Sequence, residues 1–304
     1  MLQNVEGWLA NLKVEAECAA CILSRASAEA TEATVNPALR FRAMNDVIRL
    51  LHIEFRPNAV PADLGTKRDR IIKRVTGNND PYKRNKRISN EKALKLLPYA
   101  RKLVEEGYAQ QDRFKRACLV AIVGNIMEFD IPGHKFTFTT LRKSFRDAAK
   151  DLVIDDTAKI YELVVKANTV LYLADNAGEI VFDTLLVEQL KNMGLTVTVA
   201  VKGGPIINDA TLEDAEASGM SKIADKVITT GTDAVGFALG EVSKEFLDTY
   251  KSVDLIIAKG MGYAETLTEY ELKKPHALLF RTKCNPVANY FAASREKNVA
   301  KLMP

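Results

Sequence analysis

The sequence predicts an α/β protein: a mostly parallel sheet in the second half of the chain, preceded by an all-helical region. Two observations predict it. Between residues 166 and 304, short β-rich apolar runs alternate with helical patterns, which is the order of βαβ units. Between residues 1 and 165, apolar residues recur at helical spacing and almost nowhere alternate. The 304 residues suffice for two domains, or for one α/β domain with a helical cap, and 47% hydrophobic composition supports a core. The boundary is expected near residue 166, dividing a helical cap region, 1–165, from an α/β domain, 166–304.

In the first half the helical patterns run from Trp8 to Ala33, Pro37 to Ile53, Glu91 to Gly107, Gln110 to Met127 and Thr157 to Lys166. Lys67 to Lys92 holds ten Lys or Arg residues against three acids, locally like a phosphate or nucleic-acid patch. Ile71, Ile72, Val75, Tyr82 and Ile88 are interspersed there, around the turn Gly77-Asn78-Asn79-Asp80-Pro81. That mixture favours the wet face of short helices over polyanion binding, so nucleic acid is not the expected partner. Trp8, with Leu9 and Leu12 close behind, suggests helix packing, and Cys118 between Ala117 and Leu119 suggests core.

The second half opens with Leu171-Tyr172-Leu173, which breaks off into Ala174-Asp175-Asn176-Ala177-Gly178 before a helical pattern from Glu179 to Met193. Three more apolar runs, Leu195 to Val201, Lys226 to Thr230 and Asp254 to Ala258, end in the glycine turns Lys202-Gly203-Gly204-Pro205, Gly231-Thr232-Asp233 and Lys259-Gly260-Met261-Gly262. A helical pattern from Leu239 to Tyr250 separates the last two, and a fourth run, His276 to Phe280, ends in Arg281-Thr282-Lys283-Cys284-Asn285. In a parallel sheet these ends share one rim, where ligands bind. The rim would collect Asp175, Asn176, Asp209, Asp233, Lys202, Lys259 and Lys283. Hard oxygen donors beside cations suit a divalent metal and an anion.

Several classes are disfavoured. No run approaches the roughly 18 apolar residues of a membrane helix, and the amino terminus lacks the pattern of a secretory signal, so a soluble, cytoplasmic protein is expected. Four cysteines in this length agree with a reducing compartment. His52, His134 and His276 are dispersed without metal-ligand spacing, which points to structural or surface roles. Cys18 and Cys21 have the spacing of a redox pair but lie in a helical pattern, Val14 to Ala30, which argues against a thioredoxin-type site. No solenoid repeat or low-complexity tract occurs, and nothing in the chain speaks to oligomeric state.

The run Ala174-Asp175-Asn176-Ala177-Gly178-Glu179-Ile180-Val181-Phe182-Asp183 resembles the signature of the metal-dependent damage-control phosphatases, once a domain of unknown function. Lys202-Gly203-Gly204-Pro205-Ile206-Ile207-Asn208-Asp209-Ala210-Thr211, Lys259-Gly260-Met261-Gly262 with Glu265, and Arg281-Thr282-Lys283-Cys284 resemble that family's later motifs. Cys18-Ala19-Ala20-Cys21, Thr76 to Tyr82 and Gly124-Asn125-Ile126 are similar to segments of its stand-alone prokaryotic branch, so the resemblance covers nearly the whole chain. It implies a Rossmann-like three-layer α/β/α domain partly covered by the amino-terminal helices. It further implies a divalent metal (Mn, Mg, Co or Ni) on Asp175, Asn176 and Asp209, a substrate lysine at Lys283, and a substrate loop through Gly260, Met261, Gly262 and Tyr263. Tyr263 stands where many relatives have Asn. The resemblance also suggests that Cys18, Cys21 and Cys284 converge beside the site, as a disulfide, an accessory metal site or simple packing.

These residues support hydrolysis of small phosphorylated metabolites, sugar phosphates or phosphopantetheine-type compounds, in metabolite damage control. Asp175, Asn176 and Asp209 would hold the ion that binds phosphate and orients water, and Lys283 would neutralise a phosphoryl oxygen. Gly178 would admit close backbone approach, with the helix from Glu179 directing N–H groups at the anion. Glu179 would either position water or serve the helix dipole, while Asp183 reads as a supporting residue. Lys202 and Lys259 would join the phosphate cradle or stand in solvent. Covalent attack by Asp175 is disfavoured because no Asp-x-Asp spacing supplies a general acid. Two rivals remain: a Rossmann-type enzyme using S-adenosylmethionine or a nucleotide, against which stands the single glycine of the turn, and a non-catalytic module binding phosphometabolites or nucleic acid.

Overall fold

The structure, a computed structural model, describes residues 11–125 and 138–304. Its seven strands are β1 (Leu152–Asp155), β2 (Thr169–Leu173), β3 (Thr196–Val201), β4 (Lys226–Thr229), β5 (Leu255–Lys259), β6 (His276–Arg281) and β7 (Asn298–Met303), in one sheet ordered β1-β7-β6-β5-β2-β3-β4. Strands β2 to β6 pair in parallel, whereas β7 runs antiparallel to β6 and carries β1 parallel to itself. Strand β5 is buried at every position and β2 at all but its first, as expected of strands covered on both faces.

The chain leaves β2 towards β3 and β4 on one side, and β5 and β6 lie on the other. The order therefore reverses between β2 and β5, the place where open α/β sheets form a binding crevice. Leu173 pairs with both Ala200 and Ala258, and Ala258 with Leu278, so the polar turns after β2, β3, β5 and β6 emerge side by side.

The helices in chain order are α1 (Ala16–Ala33), α2 (Pro37–Glu54), α3 (Pro61–Thr76), α4 (Lys83–Glu105), α5 (Gln110–Gly124), α6 (Phe138–Asp147), α7 (Thr157–Lys166), α8 (Glu179–Asn192), α9 (Leu212–Ala217), α10 (Met220–Ile223), α11 (Lys244–Ser252), α12 (Gly260–Leu267) and α13 (Asn285–Tyr290). One face of the sheet, through Val170, Tyr172, Val199 and Ile257, packs on α4, α5, α7 and α8. The other, through Leu173, Ile256, Leu278 and Phe280, packs on Phe246, Tyr263, Leu267 and Val287 of α11, α12 and α13. That is a three-layer α/β/α arrangement. Helix α8 is buried nearly all round because it packs on the sheet beside α5 and under α4. Helices α1, α2 and α3 instead enclose a core of their own around Ala26, Ala43, Val47 and Ile72.

Several expectations are corrected. Strand β1 lies ahead of residue 166, where no strand was read; it is four residues long, and its half-exposed pattern hides it among helices. Strand β7 was also missed. Residues 61–76 and 83–105 form two long helices rather than short ones, and α4 continues through Pro98. The helix read from Leu239 begins only at Lys244, capped by Ser243, whose Oγ accepts from Phe246 N–H at 3.1 Å. Trp8, Leu9, Met127 and His134 lie outside the described residues.

Candidate functional site

The turn after β2 is built by backbone before side chains. Ala210 N–H donates to the Asp175 carbonyl at 2.7 Å, Ala177 N–H to the Asn208 carbonyl at 2.9 Å, and Asn176 bridges Asp209 in antiparallel fashion. These bonds bring Asp175, Asn176 and Asp209 together from two separate loops. Ile207 bends the second loop with φ +45, a left-handed conformation costly for a β-branched residue. Its N–H is held at 3.0 Å by Asp69 Oδ1 from α3, and Lys73 lies 2.7 Å from Asp69. Gly260 is required by the same cluster: its φ is +84, and a Cβ there would stand 1.8 Å from Asp175 Oδ2.

Asp175, Asn176 and Asp209 line a cavity of about 210 Å³ together with Lys283, Met261, Gly262 and Glu265. Its other wall comes from α1 and α3, through Cys18, Ile22, Arg25, Ala62, Gly65 and Arg68. The separate helical core therefore sits over the crevice of the sheet.

Burial pushes the Asp175 carboxyl well above its ordinary range; Glu179 and Asp209 add to this, and Lys283 and Lys202 oppose it. Asp209 is pushed up to about 6 by burial against the pull of Lys202. Burial works against the Lys202 charge, yet Tyr263, Asp209 and Asp175 overcome it and raise its pKa. The Lys202 ammonium lies 3.5 Å from Asp209 Oδ2, donates to the Gly236 carbonyl at 2.9 Å and stands 4.7 Å over the Tyr263 ring.

Behind this cluster lies a second. Lys259, expected at the substrate, is fully buried and spends its ammonium hydrogens on Ala121 O at 2.9 Å, Glu179 Oε1 at 2.5 Å and Asp183 Oδ1 at 2.9 Å. Glu179 then turns Oε2 towards the rim, where it accepts from Asn125 Nδ2 at 2.6 Å and Asn176 Nδ2 at 2.9 Å. Glu179 thus serves as the link between the two clusters, and Asp183 anchors the lysine.

The sequence of the "Damage-control phosphatase ARMT1-like domain" family matches residues 14–299. An uncharacterized protein of Methanocaldococcus jannaschii is 39% identical, covering 95% of each chain. A damage-control phosphatase of Archaeoglobus fulgidus is 37% identical over 96% of this chain and 100% of its own. Another, of Pyrococcus horikoshii, is 36% identical over 91% of this chain and 93% of its own.

The chain belongs to the damage-control phosphatase family.

A crystal structure of a DUF89 family protein from Pyrococcus horikoshii has the same fold, with a TM-score of 0.85 at 34% identity, covering 95% of this chain and 99% of that one. Other residues singled out from the family resemblance fall as follows. Met261 and Gly262 line the cavity, whereas Tyr263 is buried beneath it in the core. Cys18, Cys21 and Cys284 all line the cavity as free thiols. Burial pushes the Cys284 thiol up to about 11 and raises that of Cys18, so neither favours the thiolate at neutral pH.

Gly178 lies close to α4 rather than to a ligand: a Cβ there would stand 2.9 Å from Ser89 Cβ, and its N–H donates to Asn90 Oδ1 at 2.6 Å. That N–H is therefore not offered to an anion. Asp233 is turned away from the cavity onto Arg70, at 2.9 Å, and Lys73, at 3.0 Å. Part of the basic stretch is engaged inside the protein: Arg68 donates to buried Glu29 at 3.1 Å, Arg70 bridges Asp233 and Glu241, and Lys86 meets Asp80 at 3.0 Å. The expected wet face holds for Lys67, Arg74, Lys83, Arg84 and Arg87, which are exposed, while Arg68, Lys73 and Lys86 are turned inward.

Asn125, Asn90 and Asp69 were not read as functional. Asn125 lies in the family-like segment Gly124-Asn125-Ile126 but carries no assigned role there, while Asn90 and Asp69 belong to no motif, the one signal at Asp69 being an acid inside a basic stretch.

The cluster fits a hard divalent ion. Buried carboxylates that bind protons too readily also gain from a cation, and the Asn176 amide donates its hydrogens to Asp175, at 2.7 Å, and Glu179, leaving its oxygen for a ligand. Among the described residues no three His, Cys, Asp or Glu side chains form a metal cage. A site with two carboxylates and an amide keeps coordination positions for water and substrate, as Mg and Mn sites do.

Proposed function

We propose that this protein is a divalent-metal-dependent phosphatase of small phosphorylated metabolites, sugar phosphates or phosphopantetheine-type compounds, acting in metabolite damage control. The observation that carries this reading is the placement of Asp175, Asn176 and Asp209 at the reversal point of the sheet, under a cavity that also receives Lys283. Asp175, Asn176 and Asp209 would hold the ion, Mn, Mg, Co or Ni. Bound there, it would supply Lewis-acid stabilisation of the phosphoryl group and a template for water.

Lys283 neutralises a phosphoryl oxygen from the β6 side. Lys202 stays beneath Asp209, holding that carboxylate in place rather than touching substrate. The walls given by Ile22, Ala62 and Val235 place apolar surface beside the reacting group. A cavity of about 210 Å³ suits a small ester.

Phosphate release is measured on a generic aryl phosphate and a panel of sugar phosphates and phosphopantetheine compounds, after chelation and then with each metal restored. Metal-restored release, absent from Asp175→Asn, is the expected result. Full release by chelated protein, or by Asp175→Asn with metal, would sink the assignment.

A further inference from the structure

Helix α5 reaches the site from beside α8, in the same layer over the sheet. Its last turn can approach because residue 124 is glycine: a Cβ there would stand 3.1 Å from Phe182 Cδ2 and 3.5 Å from Glu179 Cγ. The next residue, Asn125, is 2% exposed and has its side chain between two carboxylates. Its Nδ2 lies 3.0 Å from Asp175 Oδ2 and 2.6 Å from Glu179 Oε2. Asn176 Nδ2 lies 2.7 Å and 2.9 Å from the same two oxygens. Two amide nitrogens and two carboxylate oxygens therefore close a ring in which every amide hydrogen has one acceptor.

The ring has a direction. On the inner side Glu179 Oε1 is fixed by Lys259 at 2.5 Å, so Oε2 cannot turn away without breaking a buried ion pair. On the outer side the two donors converge on one oxygen of Asp175 and leave the other unengaged by them. Without Asn125, the two carboxylates would share only Asn176, the residue that is also read as a cation ligand.

We propose that Asn125 is a positioning residue of the metal site: by tying Asp175 Oδ2 to Glu179 it presents Asp175 Oδ1, and frees the Asn176 oxygen, towards the cation. This rests on the metal reading above. Asn125 does not line the cavity and acts through Asp175, as hydrogen-bonded partners of metal ligands do.

The test is direct Mn²⁺ binding by electron paramagnetic resonance to the full chain, with the melting temperature taken in chelator. Asn125→Leu keeps the shape and removes both donors; Asn125→Ser keeps one donor and decides the matter if the leucine variant does not fold. The expected result is a Mn²⁺ dissociation constant raised about 10–100-fold in Asn125→Leu and less in Asn125→Ser, with an altered Mn²⁺ spectrum. A purely structural asparagine would lower the melting temperature alone. A folded variant binding Mn²⁺ within about threefold of the wild type, with the same spectrum, would overturn the proposal and leave the phosphatase reading intact. A wild-type chain that binds no divalent ion would overturn both.

Discussion

Two buried carboxylate clusters stand back to back in this molecule, joined by Glu179, and their difference separates structure from site. The inner one closes on itself: Lys259 supplies the cation, and Glu179, Asp183 and the Ala121 carbonyl take up its hydrogens. The outer one, Asp175 and Asp209 with Asn176, opens on the cavity, and its lysine, Lys202, stands off at 3.5 Å from one carboxylate. Similar residues at similar depth thus have opposite dispositions. A cluster whose ammonium bonds directly to both of its carboxylates contributes to the fold, while a cluster whose ammonium stands off and whose carboxylates face a cavity is stabilised by whatever cation enters.

The largest effect expected from this contrast is on stability, at the inner cluster. Lys259→Met retains the length of the side chain and strands Glu179 and Asp183, 1% and 0% exposed, without a cation. The loss should be about 3–5 kcal/mol, read from urea unfolding in chelator. A midpoint equal to the wild type would mean that the inner cluster is not held by its lysine, and the distinction would break.

The outer cluster should answer in the opposite sense. Asp175→Asn fixes in a neutral form a group that burial, Glu179 and Asp209 already push that way, while keeping an oxygen for the Asn125 and Asn176 donors. Metal-stimulated phosphate release should fall at least about a hundredfold, while the melting temperature in chelator stays level or rises, because repulsion among Asp175, Glu179 and Asp209 is relieved. A variant destabilised as severely as Lys259→Met would show that both clusters are structural.

The sheet and the open cluster were legible in the sequence because both depend on local order. An apolar run that stops at Asp-Asn-x-Gly or at Lys-Gly-Gly-Pro announces a strand end, and parallel strands put such ends together. The closed cluster was not legible. Whether Lys259 faces substrate, solvent or Glu179 depends on α5 and α8 lying side by side over the end of β5, a packing relation with no sequence period. The Asp69 contact with the Ile207 turn was hidden for the same reason: the composition of residues 67–92 gives charge, and only the docking of α3 turns Arg68, Asp69 and Lys73 inward. Strand β1 failed on length, since four half-exposed residues carry too little alternation to read.

A third buried ionisable group, remote from both clusters, sharpens the comparison at the smallest scale. His276 at the start of β6 is satisfied by neutral partners: Nδ1 lies 2.8 Å from the Lys274 carbonyl, which can only accept, so Nδ1 carries the proton and Nε2 accepts from Tyr250 Oη at 2.8 Å. Burial is the main cause that lowers its pKa from 6.5 to about 4. The unfolded chain therefore takes up this proton first, and the stability due to the neutral ring is complete above about pH 6.5 and is lost as pH falls towards 4. Raised carboxylates act the other way: Asp183 and Asp209, each pushed up to about 6, lose stability as pH rises through that value. The two trends oppose each other in one window, and His276→Gln, which keeps one donor and one acceptor, should separate them. Unfolding free energies measured in chelator should show the variant spared about 2 kcal/mol of the acid loss between pH 6.5 and 4.5. Identical pH profiles for the two proteins would mean that the ring is protonated in the folded state, and that burial alone does not keep a charge out of this core.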